Sequence, residues 1–490
     1  MRIAMLYGYG LRGSGSAVYT HDLIRPLCHQ GHDVQLVFHE QNSHEITTRG
    51  ESSWSNGKAI VARRLQGRGA LTYHALSNIE IPVTYPRPEL PRTVFLSEMD
   101  EAAQEEYIQH CLTYLLSLHV HAPIDHVITH HLALLPEVAR RFQQQTHVPF
   151  SIIAHGTGLL YGVQQSASLK DIAARYLPKA QCVVTLNASL QTRISAEFPR
   201  LQWNPLVMAP GIDTQAFRPM SNRQSSLLRS TAPGIYGIRR PTTRTLVYAG
   251  RLIADKGLHG LLAAIPHIIR QAPDTRVLIA GEGANGKTLK RAWDALCTGD
   301  CKIFIKLCRR ACIARATNSH DANTLFAPLE NFFQSVDAEY IRSARMCRER
   351  VSWMGNLDRT AMARLYRQAD LCVLPSLVAE AHPLSLCEAL ACATPVLGSN
   401  HSGIQAIFDE IEHSTPGLSQ RFRFIDTSPN WTTQFALQCG SLLARPPSIE
   451  EMYKVRRHIR QHYSWEALLS ELLPSQQATT HAQERISVLP

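Results

Sequence analysis

Short apolar runs alternate with amphipathic segments along most of this sequence, and this alternation limits the possible fold more than any other feature. Arg2 to Tyr7 and Val34 to Phe38 have the length and residue types of buried strands, and Ser16 to Gln30 between them has helical periodicity. Further strands are predicted at His126 to Thr129, Phe150 to Ala154 and Cys182 to Leu186. Strands that alternate with helices predict an α/β fold with a doubly wound parallel sheet.

The second half of the chain repeats this pattern and predicts a second doubly wound sheet. Its strands are predicted at Thr245 to Ala249, Arg276 to Ala280, Val351 to Met354, Leu371 to Leu374 and Pro395 to Leu397. A chain of 490 residues with 44% hydrophobic residues can build two such cores. We therefore expect two Rossmann-like domains, at 1–217 and 245–463, joined by a linker at 218–244. Residues 284–350 are too many for an ordinary connection and are predicted to form an insert.

The net charge and the distribution of cysteines indicate which partners the protein binds and in which compartment it is found. The formal net charge of +10 favours acidic partners such as nucleotide phosphates or anionic lipid. No stacking platform or recognisable module supports nucleic-acid binding. The apolar run from Met1 to Leu6 is too short for a secretory signal, and the twelve cysteines are scattered as in reduced cytosolic proteins. A cytoplasmic protein is therefore expected.

A glycine-rich turn follows the first predicted strand. Gly8, Gly10 and Gly13 form a GxGxxG pattern and Glu40 closes the second strand, which is typical of a dinucleotide-binding turn. An NAD(P)-dependent enzyme is therefore one alternative. However, Gly13 and Gly15 in GSGS delay the start of the helix beyond the usual pyrophosphate geometry. A turn that lets a substrate approach the backbone is favoured instead.

Two cations follow the first strand of the second half, in GRLIADKG. Gly250 is followed by Arg251, and Lys256 lies five residues further on. A guanidinium can bind two phosphate oxygens at once, and an ammonium adds a point charge, so the pair could stabilise a leaving diphosphate. A solvated basic turn is the alternative for such a pair taken alone.

Two glutamates flank a predicted strand-to-helix turn in EAHPLSLCE. Glu388 falls on the first turns of the helix, where it can accept hydrogen bonds from ribose hydroxyls, and Glu380 precedes the turn. A glutamate near a helix N terminus is also common for dipole reasons alone. The backbone at the helix start is placed to bind an anion, over His382, Pro383, Leu384 and Ser385.

Several segments in order resemble the retaining family 4 glycosyltransferases of the GT-B fold. They are GSGSAVYTHDLIRPLCHQGHDV, PIDHVITHH, AHGTG, APGIDTQAFRP, YAGRLIADKGLHGLL, VLIAGEG, VSWMGNL and PSLVAEAHPLSLCEALACATPVLGS, with YSWEALLSELL resembling the closing helix. The resemblance covers most of the chain outside the linker, residues 41–121 and the insert. It implies two facing domains with a cleft between them, the donor bound by the C-terminal one and the acceptor by the N-terminal one. It also implies that a helix within 464–490 packs back towards the N-terminal domain.

The resemblance implies a role for each matching residue. Arg251 and Lys256 would bind the donor diphosphate, Glu388 the ribose, and Glu380 with the loop after it the transferred sugar. Together with His155, which would approach the reacting sugar, Arg251, Lys256 and Glu380 form the predicted catalytic set. The remaining predicted donor-site residues are Gly13, Gly15, Gly250, Met354, His382, Pro383, Leu384 and Ser385.

The sequence therefore predicts transfer of a hexose-like sugar from a nucleotide diphosphate donor with retention of anomeric configuration. The donor nucleotide is a substrate, so no cofactor is expected, and the absence of a DxD motif predicts a reaction without a metal ion. Ala381 stands where the family often has glycine, and SGIQAI at 402–407 lacks the common Pro-Glu, which leaves the donor sugar open. A catalytically silent scaffold of the same fold remains a further alternative. His155, His130 and His131 taken alone would be structural.

The predicted insert has two further features. Four cysteines recur at helical spacing, for which buried thiols are favoured over a zinc or iron–sulfur site: Cys297, Cys301, Cys308 and Cys312. Five cations lie among apolar residues in the same stretch: Lys302, Lys306, Arg309, Arg310 and Arg315. A basic amphipathic helix suits the anionic inner face of a membrane, and a solvated helix packed on the second domain is the alternative.

Overall fold

A computed structural model describes most of the chain. The described residues are 1–9, 15–39, 52–55, 59–66, 68–76, 80–83, 93–220, 243–313, 326, 329–334, 336–378, 380, 382–424 and 431–473. The chain divides into two compact units, one made of Met1–Gly211 and Trp465–Pro490 and the other of Ile212–Ser464. We call them the N-terminal and C-terminal units.

The N-terminal unit is built on a nine-stranded sheet. The strands of this unit are β1 (Arg2–Tyr7), β2 (Asp33–His39), β3 (Ser52–Ser55), β4 (Ala59–Gln66), β5 (Gly69–Leu76), β6 (Ile81–Val83), β7 (Thr93–Phe95), β8 (His126–His130), β9 (Phe150–Ala154), β10 (Cys182–Thr185) and β11 (Pro205–Val207). The large sheet has the order β11-β10-β9-β8-β1-β2-β5-β4-β3, and β6 pairs separately with β7. The seven strands from β11 to β5 pair with one another in parallel. Strand β4 pairs antiparallel with both of its neighbours, β5 and β3.

Helices connect these strands and bury their apolar faces against the sheet. They are α1 (Gly15–His29), α2 (Glu101–His121), α3 (Leu135–Thr146), α4 (Ala167–Tyr176) and α5 (Ala188–Glu197). Side-chain caps define several of their starts: Asp100 accepts from the Ala103 amide at 2.8 Å, and Asn187 from the Leu190 amide at 2.8 Å. A helix from the far end of the chain, Trp465–Leu472, contacts α1, and its Trp465 ring meets Tyr19 edge-on at 5.3 Å.

The C-terminal unit contains a six-stranded sheet that is parallel throughout. Its strands are β12 (Arg244–Ala249), β13 (Thr275–Ala280), β14 (Val351–Gly355), β15 (Leu371–Leu374), β16 (Val396–Ser399) and β17 (Arg423–Phe424). They follow the order β14-β13-β12-β15-β16-β17. The strand cores are almost continuously apolar and buried, as expected for a parallel sheet covered on both faces.

The helices of this unit include those of the predicted insert. They are α6 (Leu258–Gln271), α7 (Gly286–Thr298), α8 (Cys301–Ile313), α9 (Ala338–Met346), α10 (Arg359–Gln368), α11 (Leu384–Ala391), α12 (Ser402–Ser414), α13 (Trp431–Ala444) and α14 (Ile449–Tyr463); the helix Trp465–Leu472 of the other unit is α15. Helices α7 to α9 lie between β13 and β14, within the stretch predicted as an insert. All twelve cysteines are free, and all except Cys301 are buried.

The prediction of two doubly wound parallel sheets is confirmed in both units. The predicted strands at Arg2 to Tyr7, Phe150 to Ala154 and Leu371 to Leu374 agree with the structure at both ends, and the others agree within a residue or two. The antiparallel extension β3-β4 falls in a region for which the sequence predicted no element. Among the described residues, no helix has both the length and the apolar character needed to cross a membrane.

Candidate active site

The order of the C-terminal sheet creates a switch point between β12 and β15. The chain leaves β12 towards β13 on one side and returns to β15 on the other, and these two strands are paired in parallel. Ligands of open α/β sheets bind beyond the carboxyl ends of the strands at such a point. The loop after β12 carries Arg251 and Lys256, and the loop after β15 carries Glu380. The fold thus brings together residues that lie more than a hundred positions apart in the sequence.

Lys256 and Glu380 form an ion pair across this switch point. Lys256 Nζ lies 2.6 Å from Glu380 Oε2, and the two side chains are only 21% and 14% exposed. Gly257 makes this approach possible: it has a φ of +68°, and a Cβ there would lie 1.8 Å from the carbonyl oxygen of Pro375. Any side chain at 257 would therefore push the Lys256 turn away from the loop that carries Glu380.

The main chain of Glu380 is held on both sides by the first two residues of α12. Its amide donates to Ser402 Oγ at 2.9 Å, and its carbonyl accepts from the Gly403 amide at 2.9 Å. Ser402 has a φ of +52°, unusual for a residue other than glycine. His401 supports it, with Nδ1 3.1 Å from Ser402 Oγ and Nε2 donating to the Ser376 carbonyl at 2.9 Å. The sequence did not single out Ser402, because its role depends on backbone geometry that leaves no residue pattern.

Glu388 lies in the second turn of α11 and is partly buried. Burial raises the pKa of Glu388 to about 7, against the opposing effects of the Arg359 guanidinium and a hydrogen bond from Tyr366. The Tyr366 hydroxyl donates to Glu388 Oε2 at 3.3 Å. A carboxyl in a predicted binding site that changes charge near neutral pH is a candidate functional group. The sequence analysis identified Glu388 as a candidate site residue. It did not identify Arg359 or Tyr366, which interact with Glu388 from α10.

The start of α11 contains the predicted anion site. Pro383 is its N-cap, and Leu384 and Ser385 are its first two residues, whose amides an α-helix leaves without an internal acceptor. His382 just before the helix stacks on the Tyr463 ring, with centroids 5.4 Å apart and 29° between the planes. Burial lowers the pKa of His382 to about 4, so the ring is neutral at pH 7. Residue 381 lies outside the described residues.

Gly250 and Arg251 directly follow β12, and Met354 lies near the carboxyl end of β14, two strands away in the same sheet. The Arg251 side chain is exposed, and its carbonyl accepts from the Tyr248 hydroxyl at 3.1 Å. Gly250 packs against the next loop so closely that a Cβ on Gly281 would lie 2.0 Å from the Gly250 carbonyl oxygen. Met354 is partly exposed near the end of the edge strand β14. Gly281 is a further close-approach residue that the sequence prediction did not name.

His155 lies in the N-terminal unit, at the corresponding switch point between β1 and β8. It follows β9 directly and is buried, next to His130 and His131 at the end of β8. Burial lowers the pKa of His155 to about 4 and that of His130 well below its ordinary value, so both rings are neutral at pH 7. Around them lie Tyr7, Tyr9 and Tyr19.

The first glycine turn is only partly within the described residues. Gly8 follows β1, and a Cβ there would lie 3.3 Å from Leu135 Cδ1. Gly15 is the first residue of α1, so the helix begins after the third glycine of the GxGxxG pattern. Gly10, Gly13 and Glu40 lie outside the described residues, and so do Arg315 and most of the 218–244 linker. Over the described part of the chain, no group of three or more His, Cys, Asp or Glu is arranged to hold a metal ion.

Two family models match the chain, one in each half. The model "Glycosyl transferase 4-like domain" matches residues 14–206, and "Glycosyl transferases group 1" matches 238–319 and 337–417. The chain belongs to the group 1 glycosyltransferases. The gap in the second match, at 320–336, falls inside the predicted insert. This membership disfavours the NAD(P)-dependent alternative, because the helix and the strands that follow the glycine turn lie within a glycosyltransferase match.

Curated relatives of this group 1 glycosyltransferase match over part of their length. A glycogen synthase from Mycobacterium tuberculosis is 29% identical over 171 residues, which cover 34% of this chain and 29% of the relative. A D-inositol 3-phosphate glycosyltransferase from Segniliparus rotundus is 25% identical over 274 residues, covering 56% of this chain and 46% of the relative. The chain thus spans less than half the length of these relatives.

Solved glycosyltransferase structures match over nearly the whole chain. A glycosyltransferase from Rickettsia africae gives a TM-score of 0.58 at 13% identity, covering 96% of both chains. Sucrose-phosphate synthase from Thermosynechococcus elongatus gives 0.54 at 16% identity, covering 99% of both. HepE from Anabaena, solved with UDP and glucose, gives 0.53 at 13% identity, covering 99% of this chain and 100% of that one. At such identities the likeness shows the fold, and the predicted GT-B architecture is confirmed.

Proposed function

We propose that this glycosyltransferase moves a hexose-like sugar from a nucleotide diphosphate donor to an acceptor hydroxyl with retention of anomeric configuration. The observation that carries the proposal is the 2.6 Å pair between Lys256 and Glu380 at the switch point of the C-terminal sheet. The family resemblance assigns Lys256 to the diphosphate and Glu380 to the sugar. The pair places a cation and a carboxylate side by side beyond the carboxyl ends of the two strands that flank this switch point.

The proposed chemistry depends on stabilising a leaving group. The bond between the anomeric carbon and the diphosphate oxygen breaks, and the acceptor oxygen bonds to that carbon on the same face. The acceptor proton passes to the departing diphosphate oxygen, so no side-chain nucleophile is required. Negative charge grows on the diphosphate as the bond breaks, and Arg251, Lys256 and the first amides of α11 would stabilise it. Glu388 would bind the ribose, and by the family resemblance His155 would approach the reacting sugar.

A donor screen tests this proposal. The purified chain is incubated with a panel of nucleotide sugars, and mass spectrometry follows transfer to added acceptors or slow hydrolysis. UDP-glucose comes first, because the fold is shared with a protein solved with UDP and glucose. Product of retained configuration from any donor supports the proposal. Absence of both turnover and nucleotide-dependent thermal stabilisation would instead indicate a catalytically silent scaffold that binds no donor.

Activity is expected to survive removal of divalent metal ions. Two cations and a helix N terminus would stabilise the diphosphate, and the described residues contain no arranged metal-binding group. The measurement is turnover after dialysis against EDTA, compared with turnover after adding magnesium or manganese. Loss of activity on chelation that either ion restores would contradict this expectation.

We further propose that α8 brings the protein to an anionic membrane surface. Residues 284–350 contain twelve Lys or Arg against seven Asp or Glu, so they hold half of the net charge of +10. On α8 the side chains of Lys302, Lys306 and Arg310 are exposed. Ile303 and Ile313 on the same helix are 48% and 58% exposed. Cations mixed with exposed isoleucines on one helix suit the headgroup region of a bilayer.

Binding to anionic liposomes is expected to exceed binding to neutral ones, and to weaken as salt rises, because exposed charges are screened. Cosedimentation measures it. Lys302→Glu/Lys306→Glu should abolish most of the preference, since each exposed cation contributes about 1 kcal/mol at such a surface. Lys179→Glu/Lys454→Glu is the matched control, because both lysines are exposed elsewhere. Equal sedimentation of wild-type protein with both lipids, or an equal loss in the control, would refute the membrane role.

A further inference from the structure

Two buried histidines at the carboxyl ends of β8 and β9 share a hydrogen bond. His130 Nδ1 lies 3.1 Å from His155 Nε2. Their ring centroids are 5.4 Å apart, and their planes differ by 14°. A centroid separation that large with nitrogens this close requires both nitrogens to lie near the line joining the ring centres. The bond therefore lies in the plane of both rings, which is good geometry for an N–H···N hydrogen bond.

Thr20 shows which ring donates this bond. Its hydroxyl has one proton and donates it to the Ser16 carbonyl at 2.8 Å. Thr20 Oγ1 also lies 3.4 Å from His130 Nδ1. Since the hydroxyl proton is already used, Thr20 can only accept from this nitrogen. The proton of His130 is therefore on Nδ1, directed towards both Thr20 and His155.

The other nitrogen of His130 supports the same assignment. Within the described part of the chain, His130 Nε2 is buried and has no hydrogen-bond partner. A buried N–H without an acceptor is costly, whereas a bare acceptor nitrogen costs less. A proton on His130 Nε2 would be such a buried N–H without an acceptor. A proton on Nδ1 instead has an acceptor. His155 Nε2 is then the acceptor, and the proton of the neutral His155 ring is on Nδ1.

We propose that His130 is a positioning residue that fixes the His155 proton on Nδ1, so that His155 offers one neutral N–H donor to a sugar or acceptor oxygen. Within the described part of the chain, no residue is hydrogen-bonded to His155 Nδ1. Both nitrogens of His155 are then committed, one as an acceptor from His130 and one as a donor. This role rests on the proposed function, and it excludes His155 as a general base.

The experiment measures the tautomer of His155 by NMR and, separately, the activity of the same variants. Nitrogen NMR of histidine-labelled protein is expected to show His155 in the Nδ1–H form, and His130→Phe should remove that preference while keeping an aromatic ring. His130→Asn retains a side-chain N–H near the Nδ1 position and should restore the preference. With a donor found by the screen, His130→Phe should lower kcat roughly tenfold with little change in donor KM, the loss expected for one positioned hydrogen bond. His130→Asn should recover most of that loss.

His74→Phe is the matched control. His74 is also buried in the N-terminal unit and bonds to Tyr114 and Gln35 at 2.8 and 2.9 Å, so its loss should lower the Tm and leave the His155 tautomer and kcat unchanged. An Nε2–H tautomer of His155 in the wild-type protein would overturn the proposal whatever the activity. Equal kcat losses in folded His130→Phe and His130→Asn would also overturn it, because packing would then be the cause. The NMR result stands even if no donor is turned over, an outcome that would overturn the proposed function instead.

Discussion

Arg251→Ala and Lys256→Ala are each expected to lower donor turnover by roughly a hundredfold or more, the scale for losing one preorganised electrostatic donor. The diphosphate gains negative charge as the glycosidic bond breaks, so neighbouring cations stabilise the transition state more than the bound donor. Donor affinity should therefore fall less than kcat. Steady-state kinetics with the donor identified in the screen measures both quantities.

The ion pair with Glu380 makes the two substitutions differ. Lys256→Ala leaves the Glu380 carboxylate without its partner at a mostly buried position beside the diphosphate, which adds repulsion to the loss of a cation. Arg251 is exposed and leaves no buried charge behind. Lys256→Ala should therefore weaken donor binding more than Arg251→Ala does. Adding Glu380→Gln to Lys256→Ala should recover part of the binding but not the turnover.

Two surface ion pairs supply matched controls. Arg270 lies 3.1 Å from Glu339 and Lys454 lies 3.1 Å from Glu450, both well exposed. Arg270→Ala and Lys454→Ala remove the same charges and break comparable pairs away from the switch point. If the controls reduce turnover as much as Arg251→Ala and Lys256→Ala, the effect is one of bulk charge and the proposed phosphate site is wrong. The Arg251→Ala/Lys256→Ala double variant should lose less than the product of the single effects, because both cations act on one charge.

Glu388→Gln is expected to weaken nucleotide binding by roughly ten- to a hundredfold, the range for losing a hydrogen bond to a charged group. The pKa of Glu388 is raised to about 7, so the carboxyl is neutral below this pH and charged above it. If the carboxylate binds the ribose hydroxyls, kcat/KM for the donor should rise with pH through about 7. Glutamine does not titrate, so the variant should lose this step. Calorimetry with free nucleotide and pH–rate profiles measure the two effects.

Glu380→Gln should behave differently. Its partner Lys256 is released from a competing carboxylate, so free nucleotide diphosphate should bind as well as before or slightly more tightly. Turnover of the sugar-bearing donor should fall, because Glu380 is proposed to contact the sugar. The exposed Glu450→Gln is the control for loss of a carboxylate. If Glu380→Gln and Glu388→Gln weaken free nucleotide to the same extent, the proposed division between sugar and ribose is incorrect.

Much of the architecture could be predicted from local sequence patterns. Buried strands of a parallel sheet are short continuous apolar runs, and that is why β9 and β15 were located at both ends. The family could be predicted as well, because its motifs occur in a fixed order along the chain. The antiparallel pair β3-β4 could not, since its region showed no pattern that distinguished it from a loop.

The sequence predicted which types of residue form the candidate site. It did not predict how these residues contact one another in the fold. Phosphate and ribose chemistry require cations and carboxylates, so Arg251, Lys256, Glu380 and Glu388 could be named from their positions after strands. The sequence alone could not show that Lys256 pairs with Glu380, because the contact depends on adjacent pairing of β12 and β15 and on the left-handed Gly257. Arg359 lies on another element and follows no motif, and Ser402 begins the SGIQAI segment, whose residues do not indicate a contact with Glu380.

The sequence by itself determined the two doubly wound sheets, the family and the chemical types of the predicted donor-site residues, because periodicity and ordered motifs are local properties of a chain. Only the tertiary structure decided their protonation and pairing. The pKa of Glu388 near 7 and the neutral state of His155 arise from burial by residues distant in sequence. The proton position on His130 depends on Thr20, more than a hundred residues away in the chain. Burial and hydrogen-bond partners are set by packing, which no single segment of the sequence contains.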